Sequence, residues 1–124
     1  MARPTRFKEL KADVGAFGTE QILTGDGAIT IKAGVCALNK GSAIAATLDA
    51  PIAGDDDYKR LTVVSLTAQT HTVTVAVGFG NPLADCLVEG EDVATFSGVI
   101  GDTLDLMAFN GAWYVQGKHQ VTLG

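Results

Sequence analysis

The chain has 124 residues, a formal net charge of −5, 47% hydrophobic residues and 15 glycines. That length fits one domain with a modest core, and no run is long and apolar enough to span a bilayer, so no membrane partner is expected. The acidic balance excludes nucleic acid as the main partner, because neutralising phosphates needs a basic face.

Residues 1–24 show no clean period. The stretch "RFKELKADVGAFG" admits one helical turn at residues 7–10 before Gly15 and Gly18 stop it. It reads as an extended arm, and residues 25–124 as a single β domain. Arg3, Arg6, Lys8 and Lys11 against Glu9 make the arm basic at its start. The opening "MARPTRFKEL" lacks the apolar centre of a secretory signal, so folding in a cytoplasm is expected.

From residue 25 the texture changes. Gly25-Asp26-Gly27 is a turn, and "AITIK" alternates Ile29 and Ile31 inward with Thr30 and Lys32 outward. "VCALN" follows Gly34 as a second strand. "AIAATLDAP" places Ile44, Ala46 and Leu48 on one face, and Pro51 ends it. "RLTVVSLT" and "HTVTVAVGF" are rich in β-branched residues. An irregular stretch, "GNPLADCLVEGED", precedes "VATFSG", "TLDLMAF", "AWYVQG" and a last edge run, "HQVTL". Many short strands at close spacing, with no amphipathic helix, imply an all-β fold. The forms expected are an antiparallel β-sandwich, jelly-roll-like, or a small β-barrel, with an extended N-terminal arm.

Asn110-Gly111 is the strongest local signal. Both residues tolerate positive φ, so a two-residue type I′ hairpin is predicted. Its register sets Phe109 against Ala112, Ala108 against Trp113, Met107 against Tyr114 and Leu106 against Val115. Leu104, Leu106, Ala108, Trp113 and Val115 then share a core face, and the small Ala108 leaves room for the indole. The opposite face, with Asp105, Met107, Tyr114 and Gln116, is mixed and either wet or in contact with a partner. Met107 and Tyr114 are its candidate self-association residues.

Catalytic and metal constellations are not advertised. Asp55, Asp56 and Asp57 form the densest carboxylate run, but an EF-hand spreads its ligands over about twelve residues and ends in Glu. A solvated loop, compensated by Lys59 and Arg60, is expected instead. His71 and His119 are the only histidines, and neither has a second histidine near it in sequence. Cys36 and Cys86 lack zinc-site spacing and read as buried free thiols, with a disulfide as the alternative. Gly-x-Ser-x-Gly and the P-loop are missing. No enzyme, no catalytic residue, no metal and no cofactor is expected.

The order of motifs carries a resemblance. Gly-Ala-Ile-Thr-Ile opens at residue 27, a Leu-Asn-Lys turn follows at 38, and an Ala-rich strand ends in Ala-Pro at 51. Lys-Arg-Leu at 59, His-Thr-Val-Thr at 71, Gly-Asp-x-Leu-x-Leu at 101 and Asn-Gly-x-Trp at 110 complete it. Over about residues 25–117 this resembles small tailed-phage virion proteins of the capsid decoration (cement, head-stabilising) type. The resemblance implies a non-enzymatic structural protein on the outer capsid surface of a bacteriophage virion, assembled in the host bacterial cytoplasm. It implies a homotrimer bound to the major capsid protein, with N-terminal arms reaching neighbouring capsomers. The candidate docking residues of the arm are Arg3, Arg6, Phe7, Lys8, Leu10, Lys11, Val14 and Phe17. The alternative role is a tail, fibre or baseplate module, structural or receptor-binding.

Overall fold

The computed structural model describes residues 19–75, 83–84 and 89–124. These form twelve strands and no helix. In chain order they are β1 (Glu20–Leu23), β2 (Gly27–Ile29), β3 (Gly34–Leu38), β4 (Ala45–Leu48), β5 (Arg60–Ser65) and β6 (Thr72–Val75). Then come β7 (Leu83–Ala84), β8 (Glu89–Glu91), β9 (Val93–Phe96), β10 (Thr103–Phe109), β11 (Ala112–His119) and β12 (Val121–Leu123).

Two sheets share them. A seven-stranded sheet runs β1-β3-β5-β10-β11-β7-β8, and a five-stranded sheet runs β12-β9-β6-β4-β2. Among the described residues each has two edge strands, so neither closes into a barrel. The described residues are all-β and pack as a sandwich, with one core between the sheets. Cys36, Leu38, Leu61, Val63, Leu104, Leu106, Ala108 and Trp113 enter it from the larger sheet. Ile29, Ala46, Leu48, Val73, Val75, Ala94, Phe96 and Val121 enter it from the smaller one. The driving term is removal of these side chains from water, at about 25 cal/mol per Å² of apolar surface.

The sheets are mixed, which corrects the expectation of antiparallel pairing throughout. β1, β3 and β5 are mutually parallel, as are β2, β4 and β6. The reason lies in the path. Each successive strand from β1 to β6 crosses to the opposite sheet, so the chain re-enters a sheet in the direction it left. Period-2 patterning identifies a half-buried strand but not its neighbour. The antiparallel pairs are β5 with β10, β10 with β11, β7 with β8, β6 with β9 and β9 with β12, while β11 and β7 are parallel.

The patterning itself holds. Along β5, Leu61, Val63 and Ser65 are buried while Arg60, Thr62 and Val64 face out. The outer face of the smaller sheet is a field of small and β-branched residues, with Ala45, Thr72, Thr95 and Thr122 in one cross-strand row. Glu20–Leu23, read from sequence as part of the arm, forms the edge strand β1. Gln21 ties that edge to the other sheet, donating to Ala28 O at 3.0 Å and accepting from Thr30 N at 2.7 Å.

One glycine is required by this edge. Gly34 has φ +101°, and a Cβ there would run into the Thr19 carbonyl. That carbonyl accepts the Val35 N–H at 2.9 Å, so the first two neighbouring strands start in contact.

Candidate functional site

The outer face of the larger sheet is where polar and aromatic groups converge. The hairpin forms with Asn110 at φ 51° and Gly111 at φ 80°, as a type I′ turn requires. Its register is the one read from sequence: Phe109 with Ala112, Ala108 with Trp113, Met107 with Tyr114 and Leu106 with Val115. Trp113 is fully buried, and its indole N–H donates to Asp49 O at 2.9 Å. Met107 and Tyr114 therefore stand side by side on the outer face, both half-buried, and Arg60 is Met107's partner on the other side.

Below that pair the register slips between Asp105 and Leu106. Asp105 pairs Gly117 while Leu106 pairs Val115, which leaves Gln116 as the extra residue. Bulges of this kind re-aim side chains and occur often beside binding sites. Arg60, Thr62, Asp105, Leu106 and Gln116 line a groove of about 410 Å³ here. Thr62 Oγ1 donates to Asp105 Oδ1 at 2.8 Å. Gly117 lacks a side chain opposite the second carboxylate oxygen, where a Cβ would sit 3.6 Å from Asp105 Oδ2.

Above the pair lies a row of rings. Tyr58 and Phe109 have centroids 5.6 Å apart, and Phe109 and Tyr114 6.4 Å. Tyr58 is 69% exposed and its backbone has φ 71°.

The aspartate run positions this row, and it departs from the expected solvated loop. Asp56 is buried. Its Oδ2 accepts the Ile52 N–H at 2.7 Å, and its Oδ1 pairs with Lys59 Nζ at 2.7 Å. The Ile52 hydrogen bond leads in holding its pKa below 3.8, with Lys59 adding to it against the effect of burial. Asp57 Oδ1 accepts the Asn110 N–H at 2.8 Å, fastening the loop to the hairpin turn. Tyr58 N–H donates to Ala108 O at 2.6 Å, and Ala108 N–H to Lys59 O at 2.8 Å. Both oxygens of Asp56 are thus spent within the loop. Among the described residues no group of three His, Cys, Asp or Glu side chains is placed to hold a metal ion.

The other residues singled out by sequence lie apart from this face. His71 is fully buried; its Nδ1 accepts the Ile44 N–H at 2.9 Å and its Nε2 lies 2.9 Å from Thr67 Oγ1. Burial lowers its pKa from 6.5. His119 is exposed at the end of β11. Cys36 is a buried free thiol whose pKa burial pushes up to about 11. Asp102 is buried too; burial would raise its pKa, but Ser97 and Val99 donors on Oδ2 outweigh it and lower it. Cys86 and the arm residues Arg3, Arg6, Phe7, Lys8, Leu10, Lys11, Val14 and Phe17 lie outside the described residues.

Sequence reasoning found the face and missed the row. Met107, Phe109 and Tyr114 share parity, so two of the three rings were placeable from the Asn-Gly turn. Tyr58 joins them through the Asp57–Asn110 and Tyr58–Ala108 hydrogen bonds, long-range contacts for which the sequence carries no local signal. No protein-family model matches this chain, and no curated protein is significantly similar to it.

Proposed function

We propose that the chain is a non-enzymatic bacteriophage capsid decoration protein. It binds the outer head surface and stabilises the capsid by bridging capsomers, with the major capsid protein as its partner and a homotrimer as the working unit. The observation that supports this most is at the edge of the larger sheet. Ile22, 54% exposed, and Val35, 38% exposed, are large apolar side chains displayed on the two outermost strands. The basic N-terminal segment joins the body at that same edge, through β1. An apolar patch on the strand that follows a basic, aromatic-containing segment in sequence suits docking on an acidic, partly apolar protein surface. Many copies on one lattice make modest single contacts sufficient.

Deleting residues 1–18 tests the reading. The truncated chain is expected to keep the melting temperature of the body and to lose attachment to undecorated heads. Full occupancy by the truncated chain would overturn the role of the arm. Ile22→Asp, on the exposed face of β1, is expected to weaken attachment or trimer formation without unfolding the body.

A further inference from the structure

We propose that the outer face of the larger sheet binds neutral oligosaccharides, with Tyr58, Phe109 and Tyr114 as a stacking row and Arg60, Asp105 and Gln116 as hydroxyl-binding groups. The site does not depend on where in a virion, or on what particle, the chain is mounted.

Three observations carry this. The first is Tyr58. A non-glycine residue in the left-handed region stores about 1–3 kcal/mol of strain and persists only where its surroundings hold it. Here the Asp56 loop, the Asp57–Asn110 bond and the Tyr58–Ala108 bond hold it. Glycine would fit the same backbone more readily, and a ring 69% exposed gains little from burial. The scaffold therefore holds an exposed aromatic ring at the surface.

The second is continuity. The ring row and the groove lie on one sheet face, linked by the Arg60–Met107–Tyr114 cross-strand row. From Phe109 to Asp105 the strand advances about 13 Å, a span that suits a short oligosaccharide. Sugar rings have a face of C–H bonds and a rim of hydroxyls. The C–H faces lie on aromatic rings, and adjacent hydroxyls suit planar forks such as guanidinium, carboxylate and amide.

The third is the inventory of hydrogen-bonding ends. Among the described residues, the Arg60 guanidinium, Asp105 Oδ2, the Gln116 amide and the Tyr114 hydroxyl have no hydrogen-bond partner, while Asp105 Oδ1 is fixed by Thr62. One cation and one anion line the groove, and Lys59 beside it is tied to Asp56. A balanced groove on a chain of net charge −5 does not select a polyanion.

The test is amide chemical-shift mapping of the full chain with cellohexaose, maltohexaose, mannohexaose and chitohexaose at millimolar concentration. At least one is expected to shift Tyr58, Arg60, Asp105 and Gln116 together. Tyr58→Gly removes the ring and relaxes the backbone, so it is expected to weaken that binding about tenfold or more while the melting temperature holds or rises. Gln116→Ala, at an exposed bulge position, is expected to weaken binding in the same assay. The proposal is overturned if none of the four sugars moves these amides, or if both variants bind as the parent does. It is also overturned if Tyr58→Gly converts an oligomer to monomer in sedimentation, which would make the row a contact between copies.

Discussion

His71 and Ile44 are joined at the starts of the neighbouring strands β6 and β4: the imidazole Nδ1 accepts the backbone N–H of Ile44 at 2.9 Å. That leaves Nε2 to carry the proton of the neutral ring, facing the Thr67 hydroxyl at 2.9 Å. Protonation would turn the Nδ1 acceptor into a donor pointed at another donor. Burial therefore lowers the folded-state pKa below 6.5, and the unfolded chain binds the extra proton more readily. Stability is full above pH 6.5 and falls as pH drops below it, towards the folded pKa. A second fall begins below pH 3.8, where Asp56 and Asp102 lose their hydrogen-bonded charge. Melting temperature against pH is expected to show both limbs. His71→Gln should flatten the first limb and lower stability at neutral pH by about 1–3 kcal/mol.

Gly34→Ala should be among the most damaging single-methyl changes in the body. The new Cβ meets the Thr19 carbonyl, and the backbone sits at φ +101°. Strain of the left-handed kind costs about 1–3 kcal/mol, and the clash adds to it by displacing β1. Urea unfolding is expected to show a lowered midpoint, and hydrogen exchange should show early loss of protection at Val35, whose N–H bonds Thr19. Gly41→Ala, where nothing lies within 4 Å and φ is ordinary, is the matched control.

Asp56→Asn should loosen the loop that holds Tyr58. It leaves Lys59 without its anion and weakens the acceptor for Ile52 N–H. The expected cost is about 1–3 kcal/mol at neutral pH, and it should vanish when wild type and variant are compared in acid, where wild-type Asp56 is also protonated. A cost unchanged down to low pH would contradict the assignment.

Ala108→Leu should be destabilising by overpacking. Ala108 and Trp113 are cross-strand partners and neither has any exposed surface. Extra methylenes in a filled core cost about 1–3 kcal/mol. Near-ultraviolet circular dichroism is expected to report the displaced indole along with the lower melting temperature.

The hairpin was legible because its information is local. Asn110-Gly111 dictates a turn, the turn dictates a register, and the register places Trp113 inside and Met107 beside Tyr114. The parallel pairing of β1 with β3 and of β3 with β5 was not, because any alternating strand fits either sheet and either direction. The buried state of Asp56 was hidden for a related reason. Three successive aspartates look alike in sequence, and only the closure of residues 52–59 on β10 separates one buried carboxylate from an exposed neighbour. The Thr62–Asp105 contact follows from the β5–β10 pairing, and the position of Gln116 beside it from a one-residue bulge, and nothing in "LDLMAF" or "AWYVQG" announces either.

The most direct test of the decoration role is a count. The purified chain is mixed with mature, undecorated tailed-phage heads of the kind the proposal assigns it to, the heads are pelleted, and bound copies per particle are measured. Saturation at a number set by the capsid lattice, in whole multiples of trimers, is the predicted result. No binding, or a handful of copies at a single vertex, would contradict it.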